Sequence, residues 1–297
     1  MIGFEVTHFV KRLKNANSGV VVLKLDMAKA YDRVEWCFLE AMMLRLGFHE
    51  EWVRGIMDCL TSVSFSVLWK GNPLGIFLPS RGIRQGCPLS PDLFLFVTEG
   101  FSTLLWFSET SGALSGVQIS RFTLSILHLF YADDSLLFFV VNQETPQVCS
   151  IVFRIFEEVS GQKINFQKSA MSFNPNIETD FREYLSAFLG IPIVDFRETY
   201  LGLPTLAGKR KRSLFKVVRD RIWQKVNSYK EKLFSQAGKE ILLKSVVQVI
   251  PSYSMSVFRM PVSLGHELSS FSARFWWGRF KGKKGIHWLR WSQSCKN

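Results

Sequence analysis

Short apolar runs alternate with amphipathic segments along the first half of the chain. Residues 19–25 (GVVVLKL) form an apolar, β-branched run that predicts a buried strand ending at Asp26. Residues 33–46 carry apolar side chains on one helical face, with Gly47 as the expected end of that helix. Residues 91–107 also have helical length and an apolar face. The pattern therefore predicts a strand and two helices in this order.

Two pairs of apolar runs flank turn-forming residues and predict β-hairpins. The first pairs residues 64–68 with residues 75–78 around Lys70-Gly71-Asn72-Pro73. The second pairs residues 124–131 with residues 135–141 across a tight turn. Strands joined by such short turns are antiparallel, so we expect an antiparallel sheet.

The pattern changes in the second half of the chain. An apolar stripe over residues 148–159 predicts a helix that ends at Gly161, and residues 163–173 are strand-like. After Gly202 the remaining apolar stripes are helical, over residues 214–226, 241–250 and 264–276. The predicted fold class is α+β, with an antiparallel sheet and packed helices followed by an all-helical unit.

Composition narrows the class of protein. Of the 297 residues, 47% are hydrophobic and 14% are aromatic, which excludes a globally disordered chain. No apolar run reaches the roughly 18 residues of a membrane-spanning helix, and the N-terminus resembles no secretory signal. The five cysteines show no zinc-ligand spacing. We expect a protein of the nucleus or cytoplasm that is not secreted and has no membrane partner.

The net charge of +12 is distributed unevenly. Residues 205–297 hold 20 Lys and Arg against 4 Asp and Glu, whereas residues 1–204 hold 17 against 21. The last third of the chain therefore carries +16 and the rest −4. Such a concentration of positive charge favours binding to a polyanion, although a well-solvated helical face is the alternative interpretation.

Carboxylates lie at the ends of two predicted strands. Asp26 follows the first strand, and Asp133 and Asp134 lie in the turn of the second hairpin. Carboxylates among apolar strands are costly unless a counter-charge compensates them, and a pair of divalent cations does so. We expect Asp26 and Asp133 to converge within roughly 6 Å on two Mg²⁺ ions about 4 Å apart. An ordinary solvated Asp-Asp turn remains the alternative.

Residues 81–91 (RGIRQGCPLSP) form a third candidate element. Gly82 and Gly86 permit close backbone approach, and Pro88 and Pro91 stiffen the start of the helix that follows. The loop would suit the floor of a nucleotide pocket with Gln85 as a polar contact. An ordinary loop-to-helix junction fits it equally well.

The motifs LDMAKAYDRVEW, RGIRQGCPLSP and FYADD occur in this order and resemble successive blocks of reverse transcriptases, and SGQKINFQKS and YLGLPT resemble the next two. The sequences of these motifs are most similar to those of plant LINE-type (non-LTR) retrotransposons. The resemblance implies a polymerase right hand: an antiparallel palm sheet with packed helices, partial fingers and an all-helical thumb. It divides the chain into partial fingers and palm (1–204), thumb (205–275) and the start of a downstream segment (276–297).

The resemblance implies RNA-directed DNA polymerase activity with two Mg²⁺ ions, or Mn²⁺ in their place. Asp26 and Asp133 match the family's metal ligands, and Asp134 is the neighbouring carboxylate. Lys168 (or Lys163) matches a lysine proposed to protonate the pyrophosphate leaving group.

Other positions match residues that contact the substrates. Tyr31 matches the aromatic ring that excludes a ribose 2′-hydroxyl. The remaining matched positions are Arg84, Gln85 and Gly86 at the nucleotide, Leu201 and Gly202 at the primer grip, and Lys209, Arg210, Lys211 and Arg212 at the nucleic-acid backbone. The implied partners are an RNA template, a DNA primer and deoxynucleoside triphosphates, and the oligomeric state stays open.

The chain departs from the family pattern upstream of Asp26. Only 25 residues precede it, and they contain no block like the arginine-bearing fingers strand that contacts the triphosphate. The sequence therefore resembles a piece of a longer polyprotein, or a decayed copy, that would polymerise poorly. The main alternative function is a catalytically dead nucleic-acid-binding remnant, and a translated relic without function is a third hypothesis.

Overall fold

The computed structural model describes residues 2–13, 19–120, 122–195, 199–200, 203–204, 212–228, 234–280, 283–284 and 288–294. The chain divides into two compact units, residues 2–198 and residues 199–297.

A four-stranded sheet forms the centre of the first unit. Its strands are β1 (Val20–Leu25), β4 (His128–Tyr131), β5 (Asp134–Val140) and β6 (Ala170–Phe173), in the spatial order β4-β5-β1-β6. All three pairings are antiparallel, which confirms the predicted sheet type. Because β1 lies between β5 and β6, the end of β1 is fixed on both sides.

Helices pack against the face of the sheet that carries Leu23, Leu25 and Phe139. Phe101 and Phe156 stack in this core with ring centroids 4.4 Å apart. The helices of this unit are α1 (Ile2–Arg12), α2 (Trp36–Arg45), α3 (Glu50–Thr61), α4 (Ser90–Thr110), α5 (Thr145–Ser160) and α6 (Thr179–Leu189), with a 3-10 turn at Tyr31–Arg33.

The hairpin of β2 (Phe65–Trp69) and β3 (Asn72–Phe77) stands apart from this sheet. Its turn is tighter than predicted. Lys70 and Gly71 alone connect the strands, both with positive φ, as a two-residue turn of twisted strands requires. Every residue of both strands is exposed, although most of them are apolar. The hairpin thus presents an unusual apolar surface within the described residues.

The structure corrects two sequence expectations. Residues 163–173 do not form one strand, because a turn at residues 166–168 interrupts them and only Ala170–Phe173 joins the sheet. Helices α1, α3 and α6 of this unit were not predicted. For α3 a signal was present, since Val53, Met57 and Leu60 recur at helical spacing.

The second unit is mainly helical. Its helices are α7 (Arg212–Ser228), α8 (Gln236–Leu242), α9 (Val249–Val257), α10 (Val262–Trp277) and the short α11 (Trp291–Ser294), and a π-helical turn at Leu243–Val247 joins α8 to α9. Two small antiparallel pairs, β7 (Thr199–Tyr200) with β8 (Leu203–Pro204) and β9 (Arg279–Phe280) with β10 (Lys283–Lys284), depart from the all-helical expectation.

An ion-pair chain links two helices of this second unit. Arg219 on α7 donates two hydrogen bonds to Asp220, at 3.0 and 2.9 Å, and lies 3.9 Å from Glu267 on α10. No described helix combines the length and apolar composition needed to cross a bilayer.

We predict that the β2–β3 hairpin causes self-association of the isolated chain. Leu68→Lys should lower light scattering and the apparent mass in a concentration series, because a charge on an exposed strand opposes pairing of strand edges. Leu124→Lys is the control, since Leu124 is 89% exposed against 70% for Leu68 but lies outside the hairpin. Equal association of the Leu68→Lys variant and the parent would contradict the prediction.

Candidate active site

The register of β1 against β5 brings the predicted carboxylates to one end of the sheet. Leu25 lies opposite Ser135, so the next position of the same register sets Asp26 opposite Asp134. Asp133 precedes Asp134 in the two-residue turn between β4 and β5. Ala132, the other residue of this turn, has a φ of 51°, a left-handed conformation that is strained for a residue with a Cβ atom.

The charges at this end of the sheet affect the protonation of Asp134. Burial raises the pKa of the Asp134 carboxyl above its usual value, and the negative charges of Asp133 and Asp26 raise it further. The Lys24 ammonium lowers the same pKa and lies 3.9 Å from the Asp134 carboxylate. The end of the sheet therefore holds three mutually repelling carboxylates beside one cation.

The segment that follows α5 holds the backbone around Asp26. The Asp26 amide donates to the Ser169 hydroxyl at 3.1 Å, and the Asp26 carbonyl accepts from the Asn165 amide at 2.8 Å. The buried Gln162 donates from its side-chain amide to the Ala30 carbonyl at 2.9 Å. The segment with the motif SGQKINFQKS thus holds the backbone of the turn after β1 through hydrogen bonds.

The loop that begins at Arg81 is bonded to the same turn. The Gly82 amide donates to the Val34 carbonyl at 2.8 Å, and the Ile83 amide donates to the Tyr31 carbonyl at 2.8 Å. The Trp36 indole donates to the Gly82 carbonyl at 2.7 Å. A Cβ atom on Gly82, whose φ is +91°, would lie 2.9 Å from the Asp32 carbonyl oxygen. Only glycine permits this approach.

A cavity of about 610 Å³ lies beside this loop. Its lining includes Arg84, Gln85 and the stacked rings of Phe65 and Phe77. Gly86 is exposed at the loop with a φ of +82° and open space around it. The volume falls within the range of sites that bind small molecules.

Tyr31 lies in the 3-10 turn between the carboxylates and this loop. Its ring is partly buried and packs against Phe94, with centroids 5.2 Å apart. Its backbone carbonyl holds the loop through Ile83. The residue therefore has a packing contact in addition to the sugar contact that the resemblance implies.

The two candidate lysines have different surroundings. The Lys163 ammonium forms an ion pair with the Glu157 carboxylate at 2.7 Å. Lys168 is exposed in the turn of residues 166–168, and only its backbone amide, bonded to Asn165, ties it to that turn. Of the two, Lys168 has the ammonium that is available to a ligand.

Within the described ranges, no group of three or more His, Cys, Asp or Glu side chains is placed to hold a metal ion. Mg²⁺ does not require one, because it is commonly held by one or two carboxylates together with waters and substrate phosphates. The carboxylates of Asp26, Asp133 and Asp134 are oxygen donors of this kind, and their combined negative charge attracts a cation.

Several predicted positions lie outside the described residues, namely Leu201, Gly202, Lys209, Arg210 and Lys211. Arg212 begins α7, and its side chain is likewise outside the description. The contacts that Lys24, Gln162 and Ser169 make at the site were not predicted from the sequence. The available signal for Lys24 was a cation in an otherwise apolar strand, whereas nothing local marks the other two.

We predict that Gly82→Ala weakens the fold more than Gly86→Ala does. Both substitutions place a Cβ atom at positive φ, which costs about 1–2 kcal/mol. Only at Gly82 does the new atom also meet the backbone, so its loss of unfolding free energy should be larger by about 1–3 kcal/mol. Urea unfolding of both variants measures the difference, and equal losses would show that the loop does not need this approach.

The family of reverse transcriptases (RNA-dependent DNA polymerases) matches residues 2–203. A 149 kDa protein of transposon TX1 from Xenopus laevis is 28% identical over 185 residues, which are 60% of this chain and 13% of that protein. The Pol polyprotein of the type-1 retrotransposable element R2 from Popillia japonica is 27% identical over 165 residues, 55% of this chain and 26% of the polyprotein.

Among solved structures, telomerase from Candida tropicalis with a fragment of telomeric RNA is similar to this chain, with a TM-score of 0.49 and 13% sequence identity. The match covers 93% of this chain and 46% of the telomerase chain.

The chain spans only a small part of the length of its transposon relatives. The family match covers more than half of the chain. The chain belongs to the reverse transcriptase family, and its relatives include proteins of non-LTR elements.

Proposed function

We propose that this chain is the palm and thumb portion of an RNA-directed DNA polymerase that extends a primer 3′-hydroxyl. The observation that carries the proposal is the register of β1 and β5, which sets Asp26 opposite the Asp133-Asp134 turn. This pair of strand ends is the arrangement that two-metal nucleotidyl transfer requires of its carboxylates.

Asp26 and Asp133 would hold two Mg²⁺ ions, or Mn²⁺, with Asp134 as the adjacent carboxylate. When bound, the ions activate the attacking 3′-hydroxyl and stabilise the charge on the leaving pyrophosphate. The protein contributes rigidity, because hydrogen bonds from the segment at residues 162–169 hold the Asp26 backbone. Lys168 supplies the proton for the leaving group.

The path of the incoming nucleotide is surrounded by Tyr31, Arg84, Gln85 and Gly86. The Tyr31 ring excludes the 2′-hydroxyl by occupying the space beside C2′, and its contact with Phe94 fixes the position of the ring. Arg84 and Gln85 line the cavity at the loop. The hydrogen bond from the Ile83 amide to the Tyr31 carbonyl ties this loop to the turn that contains Tyr31.

The basic last third of the chain supports binding of the RNA template and the DNA primer. It carries +16, and its phosphate contacts would make binding weaken steeply with salt. Leu201 and Gly202 are proposed to position the primer end, and Lys209, Arg210, Lys211 and Arg212 to contact the backbone of the hybrid, which is recognised mainly by shape.

We predict that primer extension depends on Asp26 and Asp133. Asp26→Asn and Asp133→Asn should each lower the rate of deoxynucleotide addition by about 10²-fold or more, because each removes a charge that is preorganised for the transition state. Asp58→Asn, on the exposed side of α3, is the matched control and should retain the parent rate. The assay is extension of a DNA primer on an RNA template with Mg²⁺.

The same assay distinguishes the polymerase from a nucleic-acid-binding remnant. A parent chain that binds the hybrid but adds no nucleotide, with or without the two substitutions, would favour the remnant. Equal extension by parent and Asp133→Asn would contradict the proposed site.

We also predict that Tyr31→Val increases ribonucleotide incorporation relative to deoxynucleotide incorporation, because the ring that fills the space beside C2′ is lost. Tyr31→Phe keeps the ring and should retain the parent discrimination. Phe94→Leu removes the packing partner alone, so it controls for loosened packing. Unchanged discrimination in Tyr31→Val would mean that the ring has only its packing role.

A further inference from the structure

Lys24 is an unusual residue in the central strand of the sheet. It is the only charged residue of β1, and every other side chain in this strand is buried. Its neighbours in register, Leu136 on β5 and Ala170 on β6, are uncharged. A lysine in such surroundings is unfavourable unless a negative charge compensates it.

The compensating charge is Asp134. The Lys24 ammonium lies 3.9 Å from the Asp134 carboxylate, and the two side chains are 28% and 30% exposed. Lys24 lies opposite Leu136, two positions along β5 from Asp134, so it reaches Asp134 diagonally on the same face of the sheet. Asp26 follows Lys24 by two positions and continues this face.

Lys24 therefore belongs to the carboxylate group by position. Without it, Asp26, Asp133 and Asp134 would place three negative charges at one end of the sheet, and with it the net charge there is −2. A charge that is attached to the strand cannot diffuse away, so it opposes the repulsion whenever no cation is bound. An arriving divalent cation must share Asp134 with this ammonium.

We propose that Lys24 is a resident counter-ion of the carboxylate group, which stabilises the cation-free fold and lowers the affinity of the site for divalent cations. The inference rests on the proposed function, because it takes the three carboxylates to be the cation site. The two effects have one physical origin. Each results from the same attraction between the ammonium and the carboxylates, so removing Lys24 changes both in opposite directions.

The test compares Lys24→Met with the parent in two measurements that do not require polymerase activity. In buffer with a chelator, the variant should melt at a lower temperature. In a titration with Mn²⁺, followed by the electron paramagnetic resonance signal of the free ion, the variant should bind roughly two- to tenfold more tightly. This range is that expected for loss of a partly exposed ion pair, and added salt should reduce it.

Two further variants separate charge from packing. Lys24→Arg keeps the positive charge and should retain the parent's melting temperature and Mn²⁺ affinity, which also shows whether the strand tolerates substitution. Lys244→Met removes a lysine that pairs with Glu240 at 2.6 Å on an exposed helix surface. It should leave Mn²⁺ affinity unchanged.

The outcomes distinguish failure of this proposal from failure of the proposed function. If Asp133→Asn abolishes Mn²⁺ binding but Lys24→Met binds no more tightly than the parent, the counter-ion role is wrong and the cation site stands. If the parent binds no Mn²⁺ that Asp133→Asn removes, the cation site itself is wrong, and both proposals are overturned.

Discussion

The site depends on the antiparallel position of β1 between β5 and β6. Its register sets the end of β1 opposite the turn that follows β4, and it fixes which face of the sheet each side chain occupies. Because side chains alternate along a strand, a slip of one residue would move Asp26 and Lys24 to the opposite face and bring Leu25 out of the core. The packed face, with Leu23 and Leu25 fully buried, therefore enforces the geometry of the polar end.

Two segments then hold the turn after β1 through hydrogen bonds. The segment at residues 162–169 bonds to the backbone of Asp26 and Ala30, while the loop at Gly82 bonds to Tyr31 and Val34. Most of these contacts use backbone groups, which are insensitive to side-chain identity except where a close approach demands glycine. The motifs that resemble those of reverse transcriptases are thus brought together by hydrogen bonds between segments far apart in the chain.

The carboxylate end of the sheet combines strain with repulsion. Ala132 adopts a left-handed conformation next to Asp133, and burial disfavours the charged form of Asp134. Such unfavourable features persist only where the surrounding structure outweighs them, here the buried sheet and its helices. A site of this kind gains from binding a cation, because the cation removes the repulsion that folding imposes.

The sequence alone determined the elements with strong local patterns. The apolar run of β1, the hairpin around the Asp133 turn and the helix ending at Gly161 follow from periodicity and turn chemistry, and the ordered motifs were sufficient to predict the family. Tertiary structure decided the rest. The pairing of Lys24 with Asp134, the Ser169 contact to Asp26 and the division of residues 163–173 into a turn and a short strand depend on partners distant in sequence. Local patterns carry no information on such pairings, because a residue's preference for strand or helix does not specify which distant segment will lie beside it.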